Sequence, residues 1–150
     1  MFLLSDVVRK VGGYDEQFGL GSGSFEGGEE TDLALKIFGA GKHILFTPDV
    51  RIWHPQDRHD LHMPEKQWGY EEAWGALFRK WSRPGRIGPS ILVSAAWFIA
   101  RSYLAAAFHI LRGDWRVARQ YLRKNAARRA GWLKYRRTED ASAAKGLAAN

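Results

Sequence analysis

The chain has 150 residues, the length of one domain, and a fold of this size buries roughly 68–70% of the surface that its unfolded chain exposes. It contains no cysteine, which removes disulfides, thiolate metal sites and cysteine nucleophiles together, and its 45% apolar and 26% charged residues exclude wholesale disorder. The net charge of +7 is unevenly placed: residues 1–82 hold 9 Lys/Arg against 13 Asp/Glu, giving −4, and residues 83–150 hold 14 against 3, giving +11.

The opening Met1-Phe2-Leu3-Leu4 lacks the basic start and long apolar run of a secretory signal, so none is expected. Over residues 2–11, Phe2/Leu3, Val7 and Val11 fall near helical spacing, with Ser5 as a candidate cap and Gly12-Gly13 as the stop. Residues 19–28 carry glycine at 19, 21, 23, 27 and 28 and read as a flexible loop. Glu29-Glu30-Thr31-Asp32 then starts a helix whose Leu33, Ile37 and Ala40 share one face, closed by Gly39 and Gly41. Two short strands are expected, His43-Ile44-Leu45-Phe46 and Val50-Arg51-Ile52-Trp53-His54, separated by a turn at Thr47-Pro48-Asp49. Residues 55–67 read as a polar loop, residues 68–81 as an amphipathic helix, and the Pro/Gly-rich run 83–89 as the boundary between an 82-residue front and the basic rear.

In the rear, residues 91–111 are long enough to cross a bilayer. Arg101 stands at their centre, where insertion costs about 2.5–3.5 kcal/mol, and Ser94, Ser102 and His109 add to the cost. After Gly113, Asp114 is placed to cap a second helix in which Ala118, Leu122, Ala126 and Ala130 line one face and arginines the others. Trp115, Tyr121 and Trp132 beside those cations suit an anionic membrane surface met through residues 91–137. No nucleic-acid-binding signature accompanies the charge, so no nucleic acid partner is expected.

Glu26, Glu29, Glu30 and Asp32 lie within seven residues behind the glycines. Acids compensate the dipole of a first helical turn, and a carboxylate held near a hydroxyl can also take its proton. A glycine loop at Gly27-Gly28 would admit the substrate and close over it. The order of motifs adds to this: Gly12-Gly13-Tyr14-Asp15-Glu16-x-Phe18, Gly28-Glu29-Glu30-Thr31-Asp32-Leu33, Ala40-Gly41-Lys42-x-Ile44 and Pro48-Asp49-Val50-x-Ile52-x-His54. Together they resemble the C-terminal half of the catalytic domain of family 2 glycosyltransferases, inverting enzymes of GT-A fold, and the related galactosyltransferase C-terminal region.

The resemblance implies an α/β fold, the C-terminal part of a GT-A-type mixed sheet over residues 1–82 followed by amphipathic basic helices over 83–150. It implies transfer of a sugar from a nucleotide-sugar donor to an acceptor hydroxyl, with Glu30 as general base and Glu29 supporting it. Asp32, Gly27 and Gly28 would meet the acceptor, which a lipid could carry, and His54 would help hold a divalent metal, Mg or Mn. It places such an enzyme in the cytoplasm, on the inner face of the cell membrane. The family pattern has Asp where this chain has Glu30, and a displacement on the scale of one methylene can cost about 10²-fold in rate. No Asp-x-Asp occurs in the sequence, so a separate nucleotide-binding half is implied, without which the chain would be inactive. The alternative is a non-catalytic basic module for membrane docking or protein interaction. His54, His59 and His62 lack a rigid frame for zinc, and no Gly-x-Ser-x-Gly elbow or Gly-Lys-Ser/Thr loop is present.

Overall fold

The computed structural model describes residues 4–45, 48–49, 64–83, 87 and 89–148. Five helices follow in chain order: α1 (Ser5–Lys10), α2 (Glu29–Gly39), α3 (Pro64–Trp81), α4 (Pro89–Leu111) and α5 (Trp115–Ala148). Among the described residues there is no strand, only an isolated bridge between Phe18 and Phe25. The expected α/β sheet domain is therefore replaced by an all-helical fold. His43, Ile44 and Leu45 show why at the first expected strand: all three are exposed and none pairs in a ladder. A strand needs a hydrogen-bonded neighbour and a face to bury, and this run has neither. The second expected strand, residues 50–54 with His54, lies outside the described residues, as do His59 and His62 of the polar loop.

The core is built where α3 crosses α5. Ala73, Ala76, Leu77 and Trp81 recur at helical spacing on α3 and are buried with Tyr135 of α5. Small residues let the two helices touch through their backbones. A Cβ added to Gly75 would stand 1.8 Å from the Arg128 carbonyl oxygen, and one added to Gly131 would stand 1.8 Å from that of Glu72. The two glycines thus form a reciprocal contact that no other residue fits. This crossing joins the acidic front to the basic rear in one core.

Helix α5 returns antiparallel along α4 after the turn at Arg112-Gly113-Asp114. Asp114 opens it, its carboxylate accepting from the Val117 amide at 3.5 Å. The inward stripe of α4 runs through Ala95, Ser102 and Ala106, and that of α5 through Ala118, Asn125, Arg128 and Tyr135. The second stripe departs from expectation, since Leu122 and Ala126 are exposed and Arg128 is buried. Arg128 is the reason. Its Nε and Nη2 both reach Glu71 Oε2 at 2.7 Å. Its Nη1 donates to the Phe98 carbonyl (3.1 Å), Ser102 Oγ (2.9 Å) and Asn125 Oδ1 (3.0 Å). One side chain thus ties α3, α4 and α5 together, and its guanidinium lies 5.5 Å from the Phe98 ring centroid.

The glycine-rich segment before α2 is pinned rather than loose. Phe25 is fully buried, stacks on Phe18 at 5.2 Å and meets Tyr135 at 6.1 Å. The Phe25 amide donates to the Gln17 carbonyl and the Gly19 amide to the Phe25 carbonyl, both at 3.0 Å. Lys134 closes the segment from α5 by donating to the Ser24 carbonyl.

Candidate functional site

Helix α2 begins from Gly28, whose φ of 87° is left-handed and whose missing side chain lets Leu77 and Phe18 approach. The first turn of α2 then sits at the edge of the core, with Glu30 exposed and Asp32 buried. Leu20, Gly27, Gly28, Glu29, Glu30, Thr31 and Tyr70 line an open cleft of about 340 Å³ there. Glu30 is exposed at its edge and Glu29 half-buried against Gly19. The Tyr70 ring lies so close over Gly27 that a Cβ there would be 2.8 Å away. Thus Glu29, Glu30, Gly27 and Gly28 come together at one site.

Asp32, the fourth acid of the motif, points the other way. Its side chain is fully buried; Oδ1 accepts from Trp81 Nε1 at 2.9 Å and faces Lys80 Nζ at 2.6 Å, while Oδ2 faces Lys36 Nζ at 3.4 Å. Lys80 Nζ also donates to Asp15 Oδ2 at 2.6 Å, and Lys36 Nζ to the Gly13 carbonyl at 2.9 Å. Residues of the first two motifs therefore meet on a lysine of α3 that no sequence motif singled out. In sequence Lys80 reads as an exposed helix-terminal charge, and only the two carboxylates around it reveal its burial. This network clamps the segment that follows α1, through Gly13 and Asp15, to α2 and α3.

Burial raises the Asp15 carboxyl, but the Lys80 hydrogen bond, the Gln17 amide and the charges of Lys80 and Lys36 outweigh it and leave its pKa below the usual carboxylate range. A lowered folded pKa contributes stability above the unfolded value of about 3.9, and that contribution is lost as pH falls through the folded value. Asp15→Asn is expected to flatten the acid limb of a stability profile below about pH 4 while lowering stability at neutral pH. Equal acid slopes in the two proteins would contradict the assignment.

No group of three or more potential metal ligands occurs among the described residues, and His54 lies outside them. The residues that are described thus do not assemble a divalent-metal centre.

Among the described residues the fold is all-helical, with an acidic cleft at the start of α2 and one long apolar helix, α4. No family model, curated protein or solved structure matches the chain. With a helical fold and no family match, the resemblance to GT-A glycosyltransferases is corrected: its motif residues Asp15 and Asp32 serve here as the polar clamp between helices.

Proposed function

We propose that the chain docks on an anionic lipid surface through the outer side of α4. The observation that carries this reading is the exposure of that side: Val93 is 70%, Trp97 62%, Leu104 67% and Leu111 87% exposed, with Phe108 beside them. A helix apolar all round is ordinarily covered all round, and α4 is covered only on its inner stripe. Helix α5, packed along that stripe, has no Asp or Glu from residue 115 to residue 138. Arg116, Arg119 and Arg123 carry no acidic partner among the described residues. Each such cation near an anionic leaflet contributes on the order of 1 kcal/mol.

The packing favours lying on the bilayer over crossing it. Spanning would carry Arg101 and the attached arginines of α5 into hydrocarbon, at about 2.5–3.5 kcal/mol for each one at the centre. Docking instead sinks the outer face of α4 roughly 5–10 Å into the headgroup boundary. The chain is expected to float with vesicles containing phosphatidylglycerol, and Trp97→Glu with Leu104→Glu is expected to leave it in the pellet fraction. Both positions are exposed, so circular dichroism should be unchanged. Undiminished flotation of that variant would refute the docking face.

The cleft at α2 favours a second, catalytic reading: glycosyl transfer to an acceptor hydroxyl, the donor being held by a separate nucleotide-binding part. Glu30, exposed at the cleft, is placed to take the acceptor proton, and Tyr70 provides a ring for a sugar face. Saturation-transfer NMR with a panel of oligosaccharides is expected to show weak binding that Tyr70→Ala removes. Absence of transfer from every saccharide would count against this reading without touching the first.

A further inference from the structure

We infer that a groove between α4 and α5 seats one acyl chain of an anionic phospholipid, with Arg129 on its phosphate. The inference rests on the docking reading and gives it a defined site. The groove is about 350 Å³ and is lined by Phe78 of α3, by Ala95, Ile99 and Tyr103 of α4, and by Trp132 and Leu133 of α5. Residues 95, 99 and 103 follow one another at single-turn spacing, so the groove runs beside α4 for about 12 Å.

Three observations point to a chain with an anionic head. First, the lining is apolar where it is free. Asn125 and Arg128 border the groove, but Asn125 donates to the Ile99 carbonyl at 3.2 Å and Arg128 is spent on Glu71, Phe98, Ser102 and Asn125. A polar ligand would lose its water there without replacement; a hydrocarbon chain loses nothing.

Second, Arg129 lines the same groove, is exposed and carries no acidic partner among the described residues. Its charge complements a phosphate, and a guanidinium matches phosphate geometry through paired hydrogen bonds. Third, the groove opens along the flank of the apolar α4 face. A lipid in the docked leaflet therefore reaches it without crossing water.

The test uses the whole chain recovered from vesicles of equimolar phosphatidylcholine and phosphatidylglycerol and analysed by native mass spectrometry. One phosphatidylglycerol per chain is expected to be retained. Ile99→Trp and Leu133→Trp fill the groove from α4 and from α5. Each should cut that adduct about tenfold while flotation persists and the circular dichroism and urea midpoint stay near those of the parent, which shows that the variants fold. Arg129→Gln should erase the preference for phosphatidylglycerol over phosphatidylcholine. Flotation without a stoichiometric adduct, an adduct indifferent to both tryptophans, or wild-type retention blind to headgroup would each overturn the groove assignment and leave docking standing. Failure of the wild-type chain to float would remove both.

Discussion

Arg128→Ala is expected to lower the unfolding free energy by about 3–5 kcal/mol, read as a lower urea midpoint at unchanged slope. The Arg128 side chain is 7% exposed and that of Glu71 16%, so the deletion leaves a poorly solvated carboxylate to the more distant Lys124 Nζ, 3.8 Å from its Oε1. The carbonyl of Phe98, the hydroxyl of Ser102 and the amide oxygen of Asn125 lose a donor with it. Substituting the ion pair as a whole separates these terms. Arg128→Met together with Glu71→Leu should recover much of the loss, because removing both charges also removes their desolvation cost. Should the single alanine cost less than about 1 kcal/mol, the pair would be behaving like an exposed one and the hub would be misassigned.

Gly75→Ala sets two effects against each other. Alanine raises helix propensity by about 1 kcal/mol, so at an exposed site the change would stabilise. Here the new methyl meets the backbone oxygen of Arg128 at 1.8 Å, and a backbone atom within a packed helix does not turn aside as a side chain would. Relief requires moving α3 away from α5, which also stretches the Arg128 bonds. The expected outcome is a net loss at or above the upper end of the 1–3 kcal/mol that overpacking costs. Gly131→Ala, which meets Glu72 in the same way, should match it. The double variant should lose less than the sum of the two, since one separation relieves both contacts. A thermal melt in which Gly75→Ala is as stable as the parent would show that the helices do not approach so closely.

Much of the helical order was legible in the sequence. The residue 68–81 periodicity lies within α3, residues 91–111 nearly coincide with α4, and the acidic start and glycine stop bracket α2. Those signals are local. What was not legible is long-range. Lys80 is buried because Asp15 and Asp32 come to it from 65 and 48 positions away, and nothing around position 80 announces that. Arg128 sits among arginines that do face solvent, and its burial depends on Glu71 lying opposite. Asp15 and Asp32 carried a family resemblance in sequence yet act as a clamp, because a carboxylate suited to one chemistry is equally suited to pairing with an ammonium. The cleft is legible in part: Glu29, Glu30, Gly27 and Gly28 are local, whereas Tyr70 reaches it from another helix.

The Phe25–Tyr135 contact orders events during synthesis. At about 5–20 residues per second, on the order of five to twenty seconds separate the emergence of the two rings. Throughout that interval Phe18 and Phe25 have no lid, and α4 leaves the ribosome before α5 exists to cover its inner stripe. At that moment only α3, through Trp74 and Phe78 against Phe98, is present among the described helices that cover it, so its inner stripe stays open until α5 is made.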